Sequence, residues 1–495
     1  MRIAGPTLHI HPNYTFIEGN YDPDLVDKAC RFRKSGYRHS TAYKNRVWDG
    51  YTRLFSRPKH AFPTGLKDRV VKYYKKEYPN IKFNIVDHRD FKSPKQLGNI
   101  KDIKLEGVTL RSHQLRAGDA MLKKKHGVLW AATNSGKTEV ATALIKAIDE
   151  PTLFLVKGKD LVLQTYKRFI ARLGSEDIGI IMSNKWDVKK FTVASADTLA
   201  RRFNPNKPSQ KAQEKKRQVA DLLTSVKVVI IDECHTLASD GLFSVVRYCT
   251  APYRFGLSGT PFKRGDKQDL KLIALTGEVC YKVTNKEMIE DGVSVPTHIT
   301  FLDVEKPDLP AGLDYQTAYD DGIVNNIYRN KLICSAAVEY YDRGKQTLII
   351  VKKIDHGRII SDLITATKKF VPHQFIHGGL STEEREEGIE NFKGGITKIL
   401  VSSSILDQGV DIPNIDVLIF ASGGNSYIRA IQRVGRGLRL HDTKDRLTVI
   451  DFSDRTNKYL AKHSMERLQT YMKEECFTID IVDTVEELLG VHHRS

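Results

Sequence analysis

The sequence has few of the residues that cross-link a fold covalently and no long apolar run that would anchor it in a membrane. Its 495 residues include six cysteines at scattered positions and no Cys-x-x-Cys pair. This argues against a disulfide scaffold and against a structural zinc site, and it fits a reducing compartment. No run approaches the ~20 apolar residues of a spanning helix, and the first residues lack the apolar core of a signal peptide. We therefore expect a soluble, cytoplasmic protein.

Negative charge is also scarce. Lysine and arginine number 78 against 60 aspartates and glutamates, which gives a formal net charge of +18. A fold does not require that excess, whereas binding to a polyanion uses it. The phosphates of a nucleic acid are therefore the expected partner, and sequence-independent binding is the expected mode.

Short β-branched apolar runs alternate with helix-length segments along residues 104–293 and again along 294–495. This pattern is typical of βα units with buried parallel strands. Residues 1–103 are rich in Tyr, Arg and Lys and carry no nucleotide motif. We predict an α/β protein with two tandem parallel-sheet lobes and a small α+β N-terminal domain, divided at these boundaries. The predicted strands are Val128–Ala131, Thr152–Val156, Thr192–Ala194, Val226–Ile231, Phe255–Leu257, Thr347–Val351, Gln374–Ile376, Lys398–Val401, Val417–Phe420 and Leu447–Ile450.

One polar segment interrupts the first lobe. Residues 204–218 hold five lysines and arginines and few apolar residues. Two interpretations fit, a disordered solvated insertion or an arm that contacts phosphates. Because charge runs are usually solvated, we favour the disordered loop.

A phosphate-binding loop follows the first strand. In the pattern Gly-x-x-x-x-Gly-Lys-Ser/Thr, Ala131 replaces the first glycine and Gly136, Lys137 and Thr138 complete the motif. Small residues let backbone N–H groups surround phosphate at the positive end of the following helix. We expect Lys137 to reach the β- and γ-phosphates and Thr138 to bind Mg²⁺. The loop residues expected around the phosphates are Thr133, Asn134 and Ser135.

Two adjacent carboxylates, Asp232 and Glu233, end a buried run about ninety residues further on. Such a pair is costly to bury unless a cation shares the site. Asp232 is therefore expected to hold Mg²⁺, and Glu233 to orient the attacking water and accept its proton. Together with the loop, the pair indicates hydrolysis of a nucleoside triphosphate.

Far downstream lies the run Gln432-Arg-Val-Gly-Arg436-Gly-Leu-Arg439. Its last two arginines are three residues apart and would share one face of a helix. The planar, permanently charged guanidinium suits the oxygens of a transferring phosphoryl group. Because these arginines belong to the second lobe, we expect hydrolysis to require both lobes.

These motifs, in this order, resemble those of superfamily 2 helicases and translocases over about residues 105–455. The resemblance implies RecA-like lobes and ATP with Mg²⁺ as cofactors. The sequence Asp-Glu-Cys-His at 232–235 differs from the Asp-Glu-Ala-Asp motif that defines a subgroup of RNA helicases. Further residues that the resemblance assigns to the nucleotide and catalytic site are Arg111, Gln114, His235, Gly409, Asp411 and Gln432. Residues that it assigns to the nucleic-acid strand are Lys157, Gln164, Ser195, Thr198, Gly378, Ser402 and Ser404.

A looser resemblance covers about residues 25–70, which are similar to the N-terminal module of phage UvsW-type recombination helicases. It rests on Phe32–Arg38, Lys44–Phe55 and Phe62–Leu66. It implies an ATP-driven enzyme acting on branched or single-stranded DNA, such as forks, D-loops and Holliday junctions, in recombination, repair or replication, in the host cytoplasm if the chain is phage-encoded. Nothing in the sequence demands more than a monomer. In this module Arg46, Trp48 and Arg53 are the expected DNA contacts, with core packing as the alternative for the tryptophan.

Other functions remain open alongside the DNA helicase. An RNA helicase would use the same chemistry, and a nucleotide-gated clamp would bind nucleic acid without productive unwinding. A restriction-type motor would need a nuclease, but the glutamates of residues 1–103 are Glu18 and Glu77, and neither begins a Glu-x-Lys motif.

Overall fold

The computed structural model describes residues 4–34, 36–131, 135–174, 176–204, 209–238, 240–259, 261–262, 269–293, 295–403, 415–424, 446–472 and 477–488. The chain divides into two compact units, Met1–Val283 and Thr284–Ser495. None of the helices in the described ranges is both long and apolar enough to cross a membrane.

The N-terminal part of the first unit has its own four-stranded sheet, of order β5-β2-β1-β6, and a separate antiparallel hairpin, β3-β4. Its elements are β1 Ala4–Ile10, β2 Tyr14–Glu18, α1 Pro23–Ala29, β3 Arg31–Arg33, α2 Thr41–Lys44, β4 Tyr51–Arg53, β5 Ala61–Pro63, α3 Lys67–Glu77 and β6 Lys82–Asp87. Short 3₁₀ turns lie at Tyr37–His39, Thr64–Leu66, Pro94–Gln96 and Ile100–Asp102. The core of this part includes Leu270 and Ala274 from the first lobe. A Cβ at Gly65 would lie 1.9 Å from the carbonyl oxygen of Ile273, so glycine permits this close packing.

The rest of the first unit is an eight-stranded sheet of order β10-β9-β11-β8-β12-β13-β7-β14. Its strands are β7 His126–Ala131, β8 Thr152–Val156, β9 Ile178–Met182, β10 Lys185–Asp187, β11 Phe191–Ser195, β12 Val228–Ile231, β13 Tyr253–Ser258 and β14 Val279–Val283. Its helices are α4 Ser112–Lys124, α5 Lys137–Ile148, α6 Lys159–Leu173, α7 Ala196–Phe203, α8 Gln210–Ser225, α9 Asp240–Val246 and α10 Asp269–Thr276, with a 3₁₀ turn at Cys234–Ala238. All strands but β10 run parallel to their neighbours. Their carboxyl ends therefore share one edge of the sheet.

The prediction of a disordered loop in the polar segment is wrong from residue 210 onward, because α8 begins there. Ser209 caps the helix by accepting a hydrogen bond from the backbone N–H of Ala212. Val219, Leu222 and Leu223 then pack into the core of the lobe. Their spacing of three and four residues is that of one helix face, and this burial holds the basic amino-terminal half in helical form.

The second unit is a seven-stranded parallel sheet of order β17-β18-β16-β19-β20-β15-β21. Its strands are β15 Thr297–Val304, β16 Thr347–Ile350, β17 His373–Ile376, β18 Ile399–Ser402, β19 Val417–Ile419, β20 Leu447–Asp454 and β21 Phe477–Val482. Its helices are α11 Asn285–Glu290, α12 Tyr315–Tyr319, a π turn at Asp320–Val324, α13 Ile327–Asp342, α14 Ile354–Thr367, α15 Thr382–Lys393, α16 Lys458–Tyr471 and α17 Val485–Leu488. The α/β class with two parallel-sheet lobes is thereby confirmed.

Candidate nucleotide site and nucleic-acid contacts

The phosphate-loop motif lies between β7 and α5, as its chemistry requires. Ala131 ends the strand, Lys137 begins the helix, and Thr133 and Asn134 fall outside the described residues. Gly136 precedes the helix with φ of +74°, and a Cβ there would lie 2.1 Å from Nε2 of Gln114. A side chain at this position would be strained and would clash, which explains the glycine.

Two side chains of α4 support the loop from behind. The amide of Gln114 donates to the carbonyl oxygen of Ser135 at 3.1 Å and accepts from the backbone N–H of Arg111 at 2.9 Å. Nε2 of His113 lies 2.9 Å from the same carbonyl. Both side chains are buried. The adenine contact predicted for Gln114 and Arg111 remains a prediction, while the structure gives the glutamine amide a role in bracing the loop.

The carboxylate pair follows β12 at the same edge of the sheet. The backbone N–H of Asp232 donates to the carbonyl oxygen of Leu155 at 2.9 Å, and that of Glu233 donates to Oδ1 of Asp232 at 3.0 Å. Glu233 has φ of +44°, an uncommon conformation for a residue with a side chain. Such strain at a charged strand end is typical of functional sites.

The pKa of Asp232 is strongly perturbed. Burial raises it to about 6, and the adjacent Glu233 carboxylate adds to the rise. The charges of Lys137 and Arg168 oppose the rise only in part. A buried carboxylate beside a second acidic side chain, which the nearby lysine does not neutralise, is the electrostatic environment in which a divalent cation binds.

The His235 ring connects the acidic pair to the next strand. Nδ1 of His235 lies 3.2 Å from Oε2 of Glu233 and 3.0 Å from Oγ of Ser258, the last residue of β13. On the other side of that strand, Nε1 of Trp130 donates to the carbonyl oxygen of Gly259 at 2.9 Å. The segment after β13 is thus held to both the acidic pair and the phosphate loop.

The described residues fit a magnesium-bound triphosphate. Oγ of Ser135 is buried in the loop and has no hydrogen-bond partner among the described residues. Thr138 stands in the first turn of α5, and Asp232 supplies a carboxylate. The described ranges hold no cluster of three or more His, Cys, Asp or Glu side chains suited to a metal. One carboxylate and one hydroxyl nevertheless suffice for Mg²⁺, which takes its other ligands from phosphates and water.

Sequence reasoning missed Trp130 and Arg168 at this site. The Lys282 ammonium lies over the Trp130 ring, 4.7 Å from its centroid. Arg168 reaches the site from α6, where Nε lies 3.9 Å from Oε1 of Glu139. No motif marks either residue, although the position of the tryptophan one residue before the end of β7 is a usable signal.

The predicted strand-contacting residues of the first unit differ in accessibility. Lys157 is exposed just before α6, and Gln164 is exposed within the first half of that helix. Ser195 and Thr198 are buried, and the hydroxyl of Ser195 caps α7 by accepting from the backbone N–H of Thr198 at 3.3 Å. The first two are therefore the better placed to meet a ligand.

In the second unit, Gly378 is exposed just after β17, whereas Ser402 is fully buried. The Ser402 hydroxyl donates to the carbonyl oxygen of Ser403 at 2.9 Å. The remaining predicted site residues of this unit lie outside the described residues: Ser404, Gly409, Asp411, Gln432, Arg436 and Arg439.

Three residues of the N-terminal part were predicted to contact DNA. Arg46 is exposed with φ of +58°. Trp48 is half-buried, and its Nε1 donates to the carbonyl oxygen of Tyr51 at 2.8 Å. Arg53 pairs with two carboxylates, those of Asp27 and Asp49. Its charge is therefore already compensated within the fold.

Two neighbouring arginines that were not predicted as DNA contacts, Arg33 and Arg38, are more available to a ligand than Arg53. The Arg33 guanidinium lies 4.9 Å from the Tyr37 ring centroid and 4.7 Å from that of Tyr51, and Arg38 lies 5.8 Å from that of Tyr37. Neither arginine makes an ion pair with a carboxylate in the described part of the chain. This hairpin face therefore combines available cations with aromatic rings.

Two protein families match the chain. "Type III restriction enzyme, res subunit" matches residues 107–263, and "Helicase conserved C-terminal domain" matches residues 329–441. The first match includes the phosphate loop and the acidic pair, and the second includes the predicted arginine motif.

Individual relatives extend these matches. The chain is 23% identical to the ATP-dependent DNA helicase uvsW of Enterobacteria phage T4, over 90% of this chain and 92% of that protein. It is 24% identical to putative helicase 22 of Sulfolobus islandicus filamentous virus over 71% of this chain, and it spans 65% of that protein. A fragment of a putative HsdR subunit of a type I restriction enzyme from Vibrio vulnificus shares the fold, with a TM-score of 0.55 at 17% identity, covering 86% of this chain and 75% of that one.

Proposed function

Since the chain belongs to the superfamily 2 helicases and translocases, we propose that it is an ATP-dependent DNA helicase or translocase that acts on branched DNA. The proposed substrates are forks, D-loops and Holliday junctions of recombination, repair or replication. The observation that carries the proposal is the acidic pair after β12, in which burial raises the pKa of Asp232, together with the lysine of a phosphate loop.

The triphosphate is assigned to the loop before α5. The backbone N–H groups at this helix terminus and the Lys137 ammonium bind phosphate oxygens, and Thr138 and Asp232 hold the metal. Bound Mg²⁺ would neutralise the charge that develops on the phosphates. The buried Ser135 hydroxyl supplies a further donor at the loop.

Glu233 is assigned as the group that orients water and accepts its proton. Its backbone N–H is fixed on Asp232, and its carboxylate is oriented by the His235 ring. The same ring contacts Ser258, so a change at the carboxylate reaches the end of β13 through one side chain. We infer that this connection couples hydrolysis to movement of the segment after β13. The contributions of Gln432, Arg436, Arg439, Gly409 and Asp411 are proposed from the sequence alone.

The DNA part of the proposal rests on how far the relationship to the phage helicase extends. The aligned region covers 90% of this chain, so about a tenth of the chain is unaligned. Because that tenth is shorter than the 103 residues before the first lobe, the aligned region must extend into the N-terminal part. There, Arg33 and Arg38 present cations beside Tyr37 and Tyr51. Such a surface binds backbone phosphates and can stack on exposed bases at a junction. Exposed Arg46 and half-buried Trp48 would extend it.

The decisive test compares ATP hydrolysis and strand exchange on matched substrates. We expect weak turnover alone, strong stimulation by DNA forks and four-way junctions, and less stimulation by RNA forks of the same sequence. Equal stimulation by the RNA fork would favour an RNA helicase. DNA binding that depended on ATP without any release of phosphate would identify a clamp.

Lys137→Ala should abolish turnover because the phosphates lose their cation, while DNA binding persists. Lys123→Ala is the matched control, since it removes an exposed cation from neighbouring α4. If the Lys137 variant still hydrolysed ATP at the wild-type rate, the assignment of the site would be wrong.

A further inference from the structure

A basic groove lies between α7 and α8, away from the nucleotide loop. It has a volume of about 400 Å³, and its lining residues include Ser183, Thr198, Arg201, Arg202, Lys211 and Lys215. Four of these side chains are cations, and no carboxylate lines the groove. A concave site with charge of one sign concentrates ligands of the opposite sign.

The four cations are not compensated within the fold. None of them makes an ion pair with a carboxylate among the residues that the structure describes. Lys211 and Lys215 lie one turn apart on α8, and like charges at this spacing destabilise a helix by a few tenths of a kcal/mol. An anion bound between the two helices would remove that repulsion.

One cation is held in place before any ligand arrives. The Arg202 guanidinium lies 4.4 Å from the Trp186 ring centroid, and its Nη1 donates to Oε1 of Gln218 at 3.4 Å. Gln218 belongs to α8, so this contact joins the two walls of the groove. An arginine fixed in this way loses little side-chain entropy when it binds a phosphate.

No aromatic side chain of the described ranges lines the groove, and the two rings directly behind its lining, Trp186 and Phe203, are not available to bases. Trp186 packs against the hydrophobic core beneath Arg202. Phe203 is buried, and the Lys216 ammonium lies 5.5 Å from its centroid. The groove therefore offers charge and hydroxyl groups without a stacking platform. This chemistry recognises phosphates and does not require unpaired bases.

The groove opens at the edge of the sheet that also carries the nucleotide loop. Ser183 follows β9 and Thr198 follows β11, and both strands run parallel to the rest of the first lobe. Ser183 and Thr198 therefore lie at the carboxyl ends of their strands. In the sheet, β8 separates these strands from β12, which the acidic pair follows.

We propose that this α7–α8 groove binds the phosphodiester backbone of a double-stranded DNA arm. Duplex DNA fits because its bases are paired and inaccessible while its phosphates are dense. The inference rests on the proposed function, since it names where that enzyme holds its duplex. The polar segment thus becomes a binding element of the first lobe.

The test is the salt dependence of binding to a blunt duplex and to a single strand of equal length. In the full chain, Lys211→Gln with Lys215→Gln removes two groove cations and keeps side-chain length and helix propensity. Each lost phosphate contact lowers the slope of log Kd against log salt by about 0.9 for duplex DNA, so we expect a decrease of about 1.8. The decrease should be larger with the duplex than with the single strand.

The matched control is Lys216→Gln with Arg217→Gln, which removes two cations of the same helix that do not line the groove. We expect its slope to equal that of the wild type. An unchanged duplex slope in the groove variant, an equal loss in the control, or a loss confined to the single strand would each overturn the groove assignment. A wild-type protein that bound neither DNA would instead refute the proposed function, and the groove with it.

Discussion

The nucleotide site and the N-terminal hairpin are both rich in charge, but the fold holds those charges in opposite ways. At the nucleotide site, Asp232 and Glu233 are adjacent carboxylates on a buried strand end, and burial raises the pKa of the first to about 6. On the hairpin, Arg53 lies between two carboxylates, and an arginine hydrogen bond lowers the pKa of Asp49 to about 2. One site retains electrostatic repulsion, and the other has largely relieved it.

This difference indicates where a ligand is needed. A pair such as Asp49 and Arg53 is complete within the fold, so its charges have little to offer DNA. The acidic pair of the nucleotide site is destabilising until a cation arrives, which is the condition for tight metal binding. Uncompensated charge identifies function better than the number of charges does.

The largest expected effect tests the chemistry of the acidic pair. Glu233→Gln keeps the shape of the side chain and removes its ability to accept a proton. Because general-base catalysis contributes about 10²–10⁴-fold, we expect kcat for ATP hydrolysis to fall by that factor. Steady-state phosphate release measures kcat, and equilibrium binding of a nucleotide analogue shows that the site still forms.

Glu290→Gln serves as the control for this substitution, because it neutralises an exposed carboxylate of α11 in the other unit. Its kcat should match that of the wild type. A Glu233 variant with kcat within threefold of the wild type would mean that another group activates the water.

A smaller effect should appear in stability. The pKa of Asp232 is raised in the folded state from 3.8 to about 6. Folding therefore carries no penalty from this group below the unfolded pKa, and the penalty grows as pH rises and is complete above the folded pKa. In the nucleotide-free protein, Asp232→Asn should raise the free energy of unfolding at pH 7.5 by on the order of 1–2 kcal/mol. The gain should disappear towards pH 4.

Urea unfolding of both proteins at the two pH values measures this difference. Addition of Mg²⁺ and ATP should reverse the order, because ligand binding stabilises only a protein that can hold the metal. A variant that was no more stable than the wild type at pH 7.5 would show that the carboxylate is already compensated.

Much of the fold could be predicted because buried parallel strands appear in the sequence as short runs of apolar, β-branched residues. Each of the ten predicted apolar runs overlaps a strand of the two lobes. Two of the missed strands have weaker patterns. β9 contains Gly179, where a Cβ would lie 2.5 Å from the carbonyl oxygen of Asp187, and β21 is an edge strand with polar residues on its exposed face. Helix α8 was missed because its anchoring residues, Val219 to Leu223, lie beyond the basic segment that was interpreted as a loop.

The candidate site also has a part that could be predicted from the sequence and a part that could not. Strand-end motifs predicted the phosphate loop and acidic pair because local backbone geometry positions them. Surface contacts depend on tertiary neighbours that a motif does not contain. The hydroxyl of Ser402, expected at the DNA strand, is buried and donates to a backbone carbonyl. Likewise, Arg33 lies over the Tyr51 ring because the β3-β4 hairpin places these two residues opposite each other.

The smallest expected effect separates these two arginines, which share the hairpin but differ in their partners. Arg33 lies over tyrosine rings without an acidic partner among the described residues, so Arg33→Ala should weaken DNA binding and lower the salt slope by about 1. Arg53→Ala should leave that slope unchanged and instead lower the free energy of unfolding, because it leaves buried Asp27 with one fewer cation. DNA titrations at several salt concentrations and urea unfolding, applied to both variants, measure the two quantities. The reverse result, with the slope lost in the Arg53 variant, would mean that its ion pairs open to bind DNA and that uncompensated charge does not identify the binding face.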